Sequence, residues 1–293
     1  NPLSLSKFLL CASWWDNRQP DSDFASAKPN AKDSAPPSRV GIPGIIVWGS
    51  DWAGKEMAVA LRKSIGTKAV LEDFKRYGFG ERSTSQRDDT FWDELAPVWK
   101  ARLLPPPAYI SLSDETKDEE WAEALSIGEM DMQVTALHVS RFLQAVGNEG
   151  VMLSPVAREE SAAPAMTTTP GPHRESNNSK RVMQESTSRR LQAAMRDCVQ
   201  RGTARSIAKA LEGTGWEVGG KTGSGMALLP KGPQIDGWFA GLIFDPQGKA
   251  RFAFATFVRS GGYGGENAAK ISAELARYLI GETTAAKDRP SRP

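Results

Sequence analysis

The sequence predicts an α+β fold in which an antiparallel β-sheet is flanked by helices, and three observations carry that prediction. Two apolar runs late in the chain, GWFAGLIF over 237–244 and RFAFATFV over 251–258, are joined by Asp245-Pro246-Gln247-Gly248 and read as hairpin strands. A third strand-like run, Trp216-Glu217-Val218, leads into GGKTGSG over 219–225 just before them. The amphipathic segments gather before and after this cluster instead of alternating with strands, so the sheet is antiparallel and not wound by βαβ crossovers.

Taken in order, the chain opens on Pro2 and Ser4-Leu5-Ser6-Lys7, followed by a helix-like apolar run over 8–12. Residues 19–43 are rich in Asp, Ser, Ala, Lys and Pro and read as a long polar loop. Residues 53–80 give two helices: Met57, Val59, Ala60 and Leu61 before Gly66, then Val70, Leu71, Phe74 and Tyr77 before Gly78. After Pro105-Pro106-Pro107, a helix is expected over 131–146, where Val134, Leu137, Phe142 and Val146 suit one buried face. A second polar loop spans 159–180. Further helices are expected over 187–200, 204–211 and 266–280, the first two ending before Gly202 and Gly213. Residues 226–233 hold Pro230, Gly232 and Pro233 and read as a connection. One domain over 1–282 and a disordered tail over 283–293 account for the chain; no internal repeat is visible.

Composition narrows the function. With 37 basic and 35 acidic residues the net charge is +2, which gives no electrostatic footprint for nucleic acid. Two cysteines, Cys11 and Cys198, and two histidines, His138 and His173, supply neither a disulfide framework, a metal centre nor a histidine-based triad. No cofactor or metal is called for, and any nucleophile needs a different base. No apolar run reaches the length of a membrane span. Because the first residue is Asn, the expectation is a fragment or processed product whose anchor or export signal lies upstream.

The stretch GGKTGSG sets one lysine and two hydroxyls among four glycines. A surface turn has this composition too. A phosphate-binding loop does not fit, because its glycine spacing fails and no helix follows Lys221. Glycine repeated inside a strand instead suggests close approach to the backbone, and the lysine with its hydroxyls suggests an anion.

Four segments, in this order and spacing, resemble the transpeptidase domain of penicillin-binding proteins, especially the monofunctional class B type. They are Ser126-Ile127-Gly128 with Val134-Thr135-Ala136-Leu137; Asn148-Glu149-Gly150 with Pro155; Gly202-Thr203-Ala204; and Lys221-Thr222-Gly223-Ser224. Tyr77-Gly78-Phe79-Gly80 and 237–241 (GWFAG) are similar to that family as well. The likeness runs from about 49 to 280. That family carries three motifs, S-x-x-K, S-x-N and K-[ST]-G. Lys221-Thr222-Gly223 is the third. Ser4 to Lys7 has the form of the first and lies 46 residues before Ser50, an interval close to the family's layout. A plain N-cap serine is the other reading of Ser4. A second S-x-x-K, Ser206 to Lys209, falls in the wrong order for the family. Ser50-Asp51-Trp52 stands where S-x-N belongs, with tryptophan in place of asparagine; Ser176-Asn177-Asn178 fits the pattern literally but sits in the second polar loop.

The resemblance implies the β-lactamase-like transpeptidase fold, without the strands that the family places before S-x-x-K. It also implies acyl transfer on the D-Ala-D-Ala end of peptidoglycan stem peptides. Ser4 would be the nucleophile, Lys7 its base, and Ser50 a proton relay. Lys221, Thr222, Gly223 and Ser224 would hold the terminal carboxylate of the peptide or of a β-lactam, and the glycines 220 and 223 would leave room for it. The implied partners are stem peptide, β-lactams and proteins of a wall-synthesis complex, at the extracytoplasmic face of the inner membrane or in the periplasm. A catalytically silent scaffold and a serine β-lactamase are the alternatives.

Overall fold

The computed structural model describes residues 1–26, 38–80, 109–110, 112–128, 132–153, 179–229 and 232–287. Eight helices are seen among them: α1 Ser6–Asp16, α2 Ile42–Trp48, α3 Asp51–Ile65, α4 Thr67–Arg76, α5 Asp118–Ile127, α6 Ala136–Gly147, α7 Glu185–Arg201 and α8 Asn267–Lys287. The principal sheet has three antiparallel strands, β7 Glu217–Leu229, β8 Gly232–Phe244 and β9 Ala250–Val258, with β8 in the middle. Three two-stranded ladders complete the strands: β1 Asp23–Ala25 with β2 Arg39–Gly41, β3 Tyr109–Ile110 with β4 Met132–Gln133, and β5 Val151–Met152 with β6 Lys180–Arg181. The α+β class and the antiparallel sheet flanked by helices are therefore observed.

Helix α1 is the axle of the helical layer. Residues from Ser6 to Trp15 are all buried, against α2, α3, α4, α5 and α7. A helix apolar on every side must be enclosed on every side, and this one carries Lys7 into the interior with it. The sheet lies beside this layer with α6 and α7 on one face. On the other face α8 packs against β8 and β9, where the Ser272 hydroxyl donates to Thr256 Oγ1 at 2.8 Å.

Four expectations need correcting. The helix expected from 131 begins only at Ala136, because Met132 and Gln133 pair with β3 and Thr135 caps the helix through His138 N–H. Over 204–211 there is a single 3-10 turn, Arg205–Ile207, followed by further turns. So short a segment cannot offset helix nucleation without more packing than it receives. The connection expected over 226–233 is instead mostly strand, so that β7 and β8 form a ribbon of 13 residues a side. Ladder hydrogen bonds override the breaker residues there. Finally, α8 continues to Lys287, inside the stretch expected as a tail. The ends of the first polar loop pair as β1 and β2, and its last residues enter α2. Pro105 to Pro107, and Ser176-Asn177-Asn178 with most of the second polar loop, lie outside the described residues.

Candidate active site

The site is assembled where the start of α1, the start of α3, the end of α5 and the middle of β7 meet. Ser4 lies in a 3-10 turn, Leu3–Leu5, that runs directly into α1, so Lys7 falls one helical turn further on the same face. The Lys7 ammonium donates to Ser4 Oγ at 3.2 Å, to Asp51 Oδ1 at 2.7 Å and to the Ser126 carbonyl at 2.7 Å. Lys7 is wholly buried, whereas the Asp51 side chain is 55% exposed. Burial lowers the Lys7 pKa from its ordinary value, while the Asp51 charge and hydrogen bond oppose that shift.

The turn that presents Ser4 is gripped from two sides. Leu3 N–H donates to the Gly128 carbonyl at 3.2 Å, and Gly128 ends α5 in the left-handed region with φ +71°. A Cβ added at Gly128 would lie 2.2 Å from the Leu3 carbonyl oxygen. Ser6 Oγ donates to the Ser126 carbonyl, and Ser126 Oγ donates to the Asp51 carbonyl at 2.9 Å. Ser126-Ile127-Gly128 thus ties the heads of α1 and α3 together.

The second grip comes from β7, and it explains its glycines. Alternate residues of a strand face alternate sides, so Gly219, Lys221, Gly223 and Gly225 share one face. A Cβ at Gly219 would lie 3.1 Å from the Arg196 backbone nitrogen of α7; at Gly223, 3.3 Å from the Pro2 carbonyl oxygen; and at Gly225, 2.3 Å from Leu3 Cδ2. Lys221 is the one side chain that this row carries. Both glycines expected to clear space for a ligand also make room for the protein's own atoms: Gly223 for Trp238 Cβ, the Pro2 carbonyl and Leu3 Cβ, and Gly220 for the Phe239 ring and the Ala240 carbonyl across the ladder.

Lys221 is 1% exposed. Its ammonium lies 3.1 Å from where a Cβ would stand on Gly49, the left-handed residue between α2 and α3. Burial lowers its pKa to about 8; the nearby Lys7 charge contributes in the same direction, and Asp51 and the two cysteines oppose it. On the opposite face of β7, Thr222 Oγ1 donates to Thr203 Oγ1 at 3.1 Å. Ser224 Oγ accepts from the Gly264 N–H at 2.9 Å. The Gly202-Thr203-Ala204 segment is anchored to α2 by Thr203 N–H donating to the Val47 carbonyl at 3.1 Å.

Ser4, Lys7, Asp51 and Lys221 are thus brought together. The Ser50 hydroxyl donates to the Ser26 carbonyl at 2.6 Å and accepts from Ala53 N–H as the N-cap of α3, and neither bond involves Lys7. Trp52 points elsewhere, its indole N–H donating to Glu56 Oε1 at 3.1 Å. Sequence reasoning missed two members of the site, the Asp51 carboxylate and the Ser126 carbonyl. The first was readable as a charge at the head of a helix beside a motif serine; a backbone carbonyl leaves no sequence signal.

Residues 55–277 match the family model described as the penicillin binding protein transpeptidase domain. The chain belongs to this family. Lys221 to Ser224 fall inside the matched region; Ser4, Lys7 and Ser50 precede it. Among curated proteins it is similar to penicillin-binding protein PbpB of Mycolicibacterium smegmatis, 25% identical over 233 residues that cover 75% of this chain and 33% of that protein. Among solved structures it resembles PBPA of Mycobacterium tuberculosis, with TM-score 0.64, 13% identity and 98% of this chain against 61% of that one. It also resembles penicillin-binding protein 3 of the same organism, with TM-score 0.65, 16% identity and 99% against 64%. These likenesses show the fold. The chain spans about a third of the curated relative and under two thirds of these solved chains.

Proposed function

We propose that the chain is a serine D,D-transpeptidase that acylates Ser4 with the D-Ala-D-Ala end of a peptidoglycan stem peptide, and that β-lactams acylate the same atom. The observation that carries this reading is the buried Lys7 amine, 3.2 Å from Ser4 Oγ, with its pKa lowered by burial. A neutral amine there can take the hydroxyl proton as Ser4 Oγ bonds to the carbonyl carbon. The C–N bond to the terminal D-alanine then breaks, and the proton passes to the leaving amine. An acceptor amine later breaks the ester and restores the hydroxyl.

Lys221 is too deeply buried for its ammonium to be the first contact of an incoming carboxylate. It supplies positive potential from behind, while the Thr222 and Ser224 hydroxyls, nearer the surface, make the hydrogen bonds. The free edge of β7 beside Gly223 accepts the ligand backbone as an added strand. The backbone N–H groups of Ser4 and Ser224 form the oxyanion hole, each worth about 3 kcal/mol in such sites. Ser50 relays a proton only after its hydroxyl leaves the Ser26 carbonyl. The extracytoplasmic face is the setting for this chemistry, and wall-synthesis proteins are the partners.

Support also comes from the solved relative penicillin-binding protein A, of which a penicillin G acyl-enzyme complex is described. Labelling with a fluorescent penicillin tests the reading. A stable adduct on the peptide containing Ser4 is expected. A label that turns over identifies a β-lactamase; no label, on folded protein, leaves a silent scaffold, to which the capped state of Ser50 and the loss of the motif asparagine would then be assigned.

A further inference from the structure

The transpeptidase motif places its asparagine two residues after the serine, and here that place holds Trp52. Neighbouring positions on a helix point about 100° apart, so Asp51 and Trp52 at the head of α3 face different ways. Trp52 bonds Glu56 on the outer surface of α3. Asp51 lies on the side turned towards α1, and although its side chain is 55% exposed, its carboxylate meets the buried Lys7 ammonium at 2.7 Å. Its backbone is fixed as well, since its carbonyl accepts from Ser126 Oγ. Gly54, one turn on, lets the three elements close up: a Cβ there would lie 2.4 Å from Ser126 Oγ and 3.5 Å from Lys7 Cε.

We propose that Asp51 is the positioning residue of this site, holding the Lys7 amine on Ser4 from the middle position of the motif in place of the missing asparagine. The inference rests on the acyl-transfer reading above. Lys7 has three N–H donors, and the Ser126 carbonyl and Asp51 occupy two of them, which aims the third at Ser4 Oγ. Unlike an asparagine, Asp51 adds charge. A carboxylate in contact favours the ammonium, so this site activates its base less than an amide would, and burial must do the rest. The other charged or titratable groups that act on Lys7 are Lys55 from α3, Cys11 from its own helix and Lys221 from β7.

The test is the pH profile of acylation by a fluorescent penicillin in the parent, Asp51→Asn, Asp51→Ala and Trp52→Ala. The active form of Lys7 is neutral. Asp51→Asn keeps the hydrogen-bond acceptor and removes the charge, so the rising limb of the profile moves to lower pH while the plateau stays within about threefold. Asp51→Ala removes the acceptor and lowers the plateau about tenfold. Trp52→Ala changes neither. A rising limb unmoved in Asp51→Asn, with the plateau unmoved in Asp51→Ala, overturns the proposal. If the parent takes no label, the acyl-transfer reading falls by itself; NMR titration of the Lys7 ε-carbon in the parent and Asp51→Asn then decides the Asp51 contact, an unchanged midpoint overturning it.

Discussion

Two stretches of this chain have the form S-x-x-K, and they have opposite fates. Ser4 to Lys7 runs from a 3-10 turn into a helix buried on all sides, and Lys7 ends against a carboxylate, a carbonyl and the Ser4 hydroxyl. Ser206 to Lys209 runs through a 3-10 turn into further turns, and both of its named residues are exposed. The tetrapeptide supplies the same spacing twice. What differs is enclosure: α1 is surrounded by five other helices, whereas the second copy lies on the rim. A motif of two fixed residues is therefore a claim about surroundings, and the surroundings are distant in sequence, at Asp51, Ser126 and β7.

The sharpest way to break this comparison is to remove each lysine. Lys7→Ala should cut the rate of penicillin acylation by about 10²–10⁴, the usual worth of a positioned general base, with the protein still folded by circular dichroism. Lys209→Ala should leave the rate where it was. Equal losses would mean that the second copy is the working one.

Lys221 extends the contrast from rate to stability. Its pKa lies at about 8 in the folded protein, below the 10.5 of a free lysine side chain. The unfolded chain then binds more protons between those values, so stability rises with pH across that window and the full cost of burial is present below about pH 8. Lys221→Met should therefore stabilise the fold at pH 7, by on the order of 3 kcal/mol. The gain should shrink as pH climbs from 8 towards 10.5, while penicillin acylation is impaired throughout. Lys209→Met, in solvent, should do neither. Urea unfolding at pH 7 and pH 10 measures it; a destabilised Lys221→Met at both would show that the ammonium has partners strong enough to repay its burial.

How much of this was legible in the sequence follows the range of the interactions. The helices α3, α4, α7 and α8 and the two apolar strands announced themselves through periodicity and the glycines that end them, which are local signals. GGKTGSG announced that something approaches a bare backbone, and its lysine marked the site. The sequence could not say that the visitor at Gly223 and Gly225 is the chain's own Pro2-Leu3 turn, more than 200 residues away in sequence. The same limit hid Asp51. Reading S-x-N as a string drew attention to the tryptophan, whereas the pairing of Lys7 with Asp51 depends on how α3 is rotated against α1, which is decided by packing at Gly54. The over-read segment, 204–211, failed for the opposite reason: its local pattern was adequate, and tertiary contact did not support it.

The smallest effect separates two glycines that stand in like positions near the two copies. Gly128 and Gly213 both have positive φ, +71° and +79°. An alanine in that region costs about 1 kcal/mol on backbone grounds alone. At Gly213 no atom lies within 4 Å of the added Cβ, so Gly213→Ala should lose about that much and no acylation rate. At Gly128 the Cβ would press on the Leu3 carbonyl at 2.2 Å, and backbone on both sides must give way. Gly128→Ala should lose about 2 kcal/mol in total, by adding the milder end of overpacking costs. It should also slow acylation, because the displaced turn is the one that carries Ser4. Equal stability losses with equal rates in the two variants would show that Ser126-Ile127-Gly128 only ends a helix and has no part in seating Ser4.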